Sequence, residues 1–252
     1  MRQSVDLWCR RFRTPSAAGV PVVARLVCLP HAGGSASFYL PLTRALAPAG
    51  IDVVAVQYPG RQDRSAETPV RDLRELADRV AEAVGALPGE VPLSLFGHSM
   101  GSAVAFEVAR RLSSTGRVPA RLFASGRRAP SVSGGGTVHR KDDAGVLAEI
   151  RSLNGTASLV LQDEELMRLA LPALRADYEA IELYRASPQD CVDCPVTVLT
   201  GDADPRTPLD EVAGWAGHTT TGCEVKVFPG GHFYLSEQVD GVAALLRERL
   251  LP

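Results

Sequence analysis

From about residue 22 onward, short apolar runs alternate with longer stretches whose apolar positions recur every three or four residues. "RLVCLP" (25–30), "DVVAVQY" (52–58), "PLSLFG" (92–97), "RLFASG" (121–126), "VTVLTG" (196–201) and "EVKVF" (224–228) read as strands, rich in Val and Leu and mostly closed by Gly or Pro. Most are apolar at successive positions, which suits parallel strands covered on both faces. Between them, "PVRDLRELADRVAEAVGAL" (69–87) places Leu73, Leu76, Val80 and Val84 on one helical face. "SAVAFEVARRL" (102–112) and "VAALLRERLL" (242–251) predict two further helices. The alternation predicts an α/β fold: a mostly parallel twisted sheet, doubly wound, with helices on both faces. The length of 252 residues would fit one large domain or two small ones, and the chain is read as a single domain, 1–252, that contains one helical insertion.

One segment departs from this rhythm. Residues 127–188 contain no convincing strand, but they carry helical patterns at about 143–153 and 163–185, reached through the glycine-rich joint "SVSGGGTV" (131–138). A helical insertion between two strands predicts a lid over the carboxyl edge of the sheet. The plainer alternative is an extra pair of packing helices.

Composition narrows the function by exclusion. The 27 basic and 29 acidic residues nearly cancel, so overall charge points neither to nucleic acid nor to an anionic membrane. No apolar run approaches the ~18 residues a spanning helix needs, and the first twenty residues hold no continuous apolar region of the secretory kind. A cytoplasmic location is therefore expected. Five cysteines form no disulfide framework of the secreted type. Cys191-Val-Asp-Cys194 lacks both a second CxxC and a nearby histidine pair, so incidental thiols are expected there, and no metal site.

The chemistry centres on Gly97-His98-Ser99-Met100-Gly101. A predicted strand runs straight into this turn and a helix follows at once, which is the setting of a nucleophile elbow. Ser99 is the candidate nucleophile. Such sites run in the chain order serine, acid, histidine. Of five histidines, His31 precedes the serine, His98 adjoins it and His139 falls in the helical insertion; His218 follows a predicted helix. His232, in "FPGGHFY" just past the last strand, is the candidate base, with His218 as second choice. For the orienting acid, "VTVLTGDADPRTP" offers Asp202 and Asp204; Asp204 is preferred because Pro205 biases it toward extended backbone, which leaves Asp202 to cap the helix that follows. The loop "LPHAGGSASFY" (29–39) can bring its backbone close to a substrate. Its Ala32 N–H and the N–H of Met100 are the candidate oxyanion donors. As a phosphate loop the same stretch lacks the required glycine spacing and GK[ST] ending.

Together these stretches resemble the external, or type II, thioesterases of polyketide and nonribosomal peptide synthases. "PHAGGSAS", "VQYPGRQDR", "FGHSMG", "SGRRAP", "LPALRADYEAIELY", "CPVTVLTGDADP" and "GGHFYL" look like the family's blocks in the family's order, from about Arg25 to Leu251. The resemblance implies an α/β-hydrolase fold with a helical lid, hydrolysis of acyl thioesters on carrier proteins, and no cofactor beyond the phosphopantetheine arm that carries the substrate. It places the catalytic serine, aspartate and histidine on Ser99, Asp204 and His232, and the oxyanion donors on Ala32 and Met100. It favours Asp204 over Asp202 because "GDAD" matches the family's G-x-x-D. The implied partners are acyl or peptidyl carrier domains, and the implied task is removal of stalled or misprimed acyl groups. Carriers are typically acidic, so Arg127, Arg128, Arg140 and Lys141 near the lid entrance are candidate docking residues, against the alternative of solvated side chains. A monomer is expected. The residues alone leave a carboxylesterase or an acyltransferase open, because oxygen esters need the same elbow, base and oxyanion hole. A non-catalytic binding module fits less well with Ser99, Asp204 and His232 all present.

Overall fold

A computed structural model describes residues 2–14, 18–132, 135–153 and 164–251. Parts of two expected features, residues 133–134 of the glycine-rich joint and 154–163 of the helical insertion, lie outside the described residues. Seven strands form one sheet: β1 (Cys9–Arg10), β2 (Ala24–Leu29), β3 (Ile51–Val56), β4 (Leu93–His98), β5 (Arg121–Ser125), β6 (Val196–Gly201) and β7 (Cys223–Phe228). Their spatial order is β1-β3-β2-β4-β5-β6-β7, and every pairing is parallel except β1 with β3. From β2 the chain steps outward to β3 and then returns to the other side of β2 for β4. The loops leaving β2 and β4 therefore flank a topological switch point, where open α/β sheets bind ligands.

The apolar runs are explained by burial on both faces. In β2, Val27 and Leu29 face one core cluster while Leu26 and Cys28 face the other. The first face is covered by α3 (Leu73–Gly85) and α4 (Met100–Ser114), the second by α2 (Leu40–Leu46) and α9 (Val239–Leu250). Leu73, Leu76, Val80 and Val84 are all buried, as their spacing predicts. The Asp72 carboxylate starts α3 by accepting the Glu75 N–H at 2.9 Å.

Between β5 and β6 lie a 3-10 turn at Val138–Arg140, α5 (Asp143–Ser152) and α6 (Glu164–Leu183). They share a separate small core of Val138, Val146, Ile150, Met167, Leu171, Leu174 and Tyr178, against which Ala32 packs. The N-terminal elements, α1 (Arg2–Trp8) and β1, have no counterpart in the sequence reading. A two-residue strand has no period to read. It exists because Cys9 and Arg10 pair with Val56 and Ala55, while buried Trp8 lies under the Arg64 guanidinium, 4.3 Å from its ring. Two short helices, α7 (Leu209–Ala213) and α8 (Tyr234–Glu237), complete the set. Among the described residues, no helix is long and apolar enough to cross a membrane, and no cluster of His, Cys, Asp and Glu could hold a metal ion.

Candidate active site

Strand register brings the site together. Leu29 pairs with Gly97, Gly97 with Ala124, Ser125 with Leu199, and Gly201 with Phe228, so five strands end in line. The loops beyond them carry Ala32, Ser99, Arg127, Asp204 and His232 to one edge of the sheet.

Ser99 sits at φ 55°, ψ −118°, a backbone conformation unusual for a side-chain-bearing residue and costing on the order of 1–3 kcal/mol. Neighbouring bonds hold it there. Its N–H donates to Ser125 O at 2.8 Å, its carbonyl accepts from Ser102 N at 3.0 Å, and the Ser102 hydroxyl lies 2.8 Å from the carbonyl oxygens of both Gly97 and Ser125. The flanking glycines are required by close approach: a Cβ at position 97 would lie 2.1 Å from Gly101 O, and one at 101 would lie 2.0 Å from Leu29 O.

His232 Nε2 is 3.0 Å from Ser99 Oγ, and its Nδ1 is 2.8 Å from Asp204 Oδ2. With the carboxylate facing Nδ1, the ring proton belongs there and Nε2 is left to accept from the serine. Asp204 also accepts from Thr207 Oγ1 at 2.7 Å and from Arg206 N at 2.8 Å. Burial raises the Asp204 pKa, but hydrogen bonding and charge from His232, together with the Arg206 and Thr207 donors, outweigh it and hold the carboxyl below its usual range. Asp202 does not cap the following helix. Its Oδ1 accepts the Gly230 N–H at 2.9 Å, which ties down the loop that presents His232. His218 is remote from this chemistry, with its ring nitrogens 2.7 Å from Ser131 Oγ and from Asp190 O.

Ala32 and Met100 line the same pocket as Ser99 and His232, and among the described residues no backbone acceptor takes either N–H. Apolar walls come from Ile150 and Leu153 at the end of α5 and from Tyr178 and Ile181 on α6. The geometry can therefore activate a hydroxyl beside two free amides, under an apolar cover.

Residues 24–250 match the thioesterase-domain family profile. The chain belongs to the thioesterase family. It is 50% identical over 245 residues to the probable cadicidin biosynthesis thioesterase of Streptomyces griseus, covering 97% of this chain but 66% of that protein. It is 47% identical to thioesterase PikA5 of Streptomyces venezuelae, over 97% of this chain and 86% of the relative. Among solved structures, it is similar to the type II thioesterase BorB from the borrelidin biosynthetic cluster, with TM-score 0.89, 47% identity and 98% of each chain covered. The α/β-hydrolase-like fold and the resemblance to type II thioesterases are thus as the sequence blocks imply.

Sequence reasoning missed how this thioesterase fixes its 30–35 loop. Arg61, in the loop after β3, makes a bidentate pair with Asp177 on α6, at 2.6 and 2.9 Å, and both side chains are buried. The same carboxylate accepts the Gly33 N–H at 2.7 Å, and the guanidinium donates to Gly34 O at 3.1 Å. The loop bearing Ala32 is therefore clamped between β3 and α6. One signal was legible: Asp177 stands three residues from Leu174 on an otherwise apolar helix stripe.

Two further imidazoles crowd the thioesterase site. His98 and His31 are buried, with ring centroids 5.9 Å apart, and His98 is 5.3 Å from His232. Burial lowers His31 to about 3, helped by His232 and Arg61. Burial, then His232 and His31, push His98 well below its ordinary value. Both stay neutral at neutral pH and add no charge beside His232. Of the four basic docking candidates, Arg140 and Lys141 are exposed, Lys141 lying 3.2 Å from Glu149. Arg127 and Arg128 instead line the pocket with Ser99, joined by Arg206, which the sequence reading did not single out.

Proposed function

We propose that this chain is a serine thioesterase that removes acyl groups from phosphopantetheinylated carrier proteins of a polyketide or nonribosomal peptide synthase, clearing stalled or misprimed units. The observation that carries the reading is the hydrogen-bonded line from Ser99 Oγ through His232 to Asp204, beside the unpaired Ala32 and Met100 amides. In this mechanism His232 takes the Ser99 proton as Oγ bonds to the thioester carbon. The negative carbonyl oxygen rests on the Ala32 and Met100 N–H groups, at the positive end of α4. Collapse breaks the carbon–sulfur bond, and the departing sulfur takes the proton from His232. A water then loses a proton to His232 as it attacks the acyl-enzyme, and collapse breaks the bond to Oγ, which takes that proton back from His232, freeing the acid and restoring Ser99. Asp204 holds the imidazole in the required tautomer and offsets its charge during each transfer.

The helices between β5 and β6 act in this proposal as a lid within one domain spanning 1–252, their apolar side chains walling the acyl group from water. Arg140 and Lys141 meet the acidic surface of the carrier. Charge reversal at these two positions raises KM for acyl-carrier substrates while sparing small thioesters; equal effects on both would remove the docking role.

The decisive test is hydrolysis of acetyl-, propionyl- and longer acyl-carrier thioesters by wild type and Ser99→Ala, followed by intact-protein mass spectrometry. Deacylation by wild type, reduced by several orders of magnitude in the variant, is expected. Faster cleavage of matched oxygen esters than of thioesters would overturn the reading.

A further inference from the structure

Ser125, the last residue of β5, is fully buried, and both of its polar ends are engaged at the candidate site. Its carbonyl accepts the Ser99 N–H at 2.8 Å and also the Ser102 hydroxyl at 2.8 Å, which fixes the turn bearing the nucleophile. Its hydroxyl lies 2.6 Å from the Tyr234 hydroxyl and 2.9 Å from His98 Nδ1. Tyr234 stands two residues past His232, at the start of α8, with its ring stacked 5.4 Å from that of Phe228 at the end of β7. One residue therefore grips both the turn that carries the nucleophile and the loop that carries the base.

The remainder of the His232 loop is tied elsewhere. The Gly230 N–H donates to Asp202 Oδ1 at 2.9 Å, and the Gly230 carbonyl accepts from Ala203 N at 3.0 Å, both in the loop after β6. Among the described residues, the Ser125–Tyr234 contact is the one hydrogen bond, apart from Ser99–His232 itself, that runs from the His232 loop to the ends of β4 and β5. The His98 ring fills the space beside it. Its centroid is 5.3 Å from that of His232, and a Cβ on Gly126 would lie 2.8 Å from His98 Cε1 and 3.5 Å from His232 Cε1. Apolar side chains would pack here at lower cost, because His98 Nε2 is buried with no partner. A hydrogen-bonded network instead fixes positions that apolar contacts leave adjustable. Burial pushes the Tyr234 phenol above its ordinary pKa, so it keeps its hydrogen at neutral pH.

We propose that Ser125 and Tyr234 are positioning residues whose hydroxyl contact sets the span between Ser99 Oγ and His232 Nε2, a role that rests on the reading of these two groups as nucleophile and base. That span decides whether the proton leaves Ser99 as it attacks, and a misplacement of about 1 Å is worth on the order of a hundredfold in rate. Neither Ser125 nor Tyr234 lines the pocket, so their loss reaches turnover and leaves acyl binding alone.

A double-mutant cycle tests the pair through the rate at which a fluorophosphonate probe labels Ser99, read by intact-protein mass spectrometry. That rate needs the activated serine whatever acyl donor the enzyme serves. Tyr234→Phe keeps the ring on Phe228 and removes the hydroxyl. It should slow labelling about tenfold to a hundredfold, with kcat for propionyl-N-acetylcysteamine falling in parallel and KM held within about twofold. Ser125→Ala should slow it at least as much, and the double variant should be no slower than Ser125→Ala alone, because both act through one contact. Tyr184→Phe is the control. Its hydroxyl is buried 2.9 Å from Glu107 Oε1 and away from the pocket, so its loss should leave labelling unchanged. Normal labelling in Tyr234→Phe, or losses that multiply in the double variant, would overturn the proposal. So would a slowing in Tyr184→Phe equal to that in Tyr234→Phe, which would mark a general loosening of the fold. Wild type that is labelled but leaves the thioester intact would count against the thioesterase reading alone, since the labelling rates still decide the role of the pair.

Discussion

Replacing Asp177 by Asn should damage both the stability and the turnover of this protein. The carboxylate accepts two hydrogen bonds from Arg61 and one from the Gly33 amide, and its side chain is only 2% exposed. Asparagine fills the same space but removes the charge and turns one of the two acceptor oxygens into an NH2 donor, leaving the buried Arg61 guanidinium without a counter-ion and with one amide oxygen beside the Gly34 and Pro59 carbonyls. Breaking a buried pair by removing one partner costs about 3–5 kcal/mol. Against a total stability of about 5–15 kcal/mol, that is a large fraction. At about 2–4 °C per kcal/mol for a chain of this size, Tm should fall by roughly 6–20 °C. Urea unfolding followed through the buried Trp8 and Trp215 reads the loss, with the slope against urea unchanged. Because the freed loop carries Ala32, kcat should fall more than KM rises. A loss below about 1 kcal/mol together with a normal kcat would show that the pair does not hold the loop.

Three further outcomes follow from the same geometry. Gly101→Ala should destabilise by about 3 kcal/mol or more in chemical unfolding, since its Cβ would press on Leu29 O and Pro30 O, backbone atoms that have nowhere to move. His31 is held near 3 in the folded state against 6.5 when exposed, so the unfolded chain takes up the proton first; stability is complete above pH 6.5 and falls as pH drops toward 3, by up to about 1.4 kcal/mol per pH unit. His31→Gln should flatten the urea-midpoint profile between pH 7 and 5, and an unchanged slope would contradict the burial argument. Asp202→Ala should lower kcat well under a hundredfold by loosening the Gly230 loop, whereas Asp204→Ala should lower it by about ten-thousandfold in the same assay.

How far the sequence could be read depended on how local the determining physics is. The six long strands were legible because burial on both faces demands unbroken apolar runs, and Ser99 was legible because an elbow is written within five consecutive residues. Asp204 was separable from Asp202 through Pro205 and the family block, but the role of Asp202 was not, because its partner amide belongs to Gly230 on another strand's loop. The Arg61–Asp177 pair joins residues 116 positions apart, and no spacing rule reaches across that interval. Arg127 and Arg128 looked like surface charge because their short block carries no sign of which side of the sheet edge they occupy. β1 was invisible for the opposite reason, being too short to have a pattern.

The register that gathers the site also dictates when it comes into being. Ala32, Ser99, Asp204 and His232 follow β2, β4, β6 and β7, so the site spans 200 residues of chain and needs nearly the whole parallel sheet in place. Parallel order forces every pairing to be non-local, and such topologies fold slowly because each loop is closed before its contacts form. On refolding, helical signal from α3 and α4 should therefore return well before activity. The last strand, β7, brings the loop carrying His232, so a ribosome still holding the C-terminal quarter of this chain holds a protein in which Ser99 has not yet met its imidazole partner.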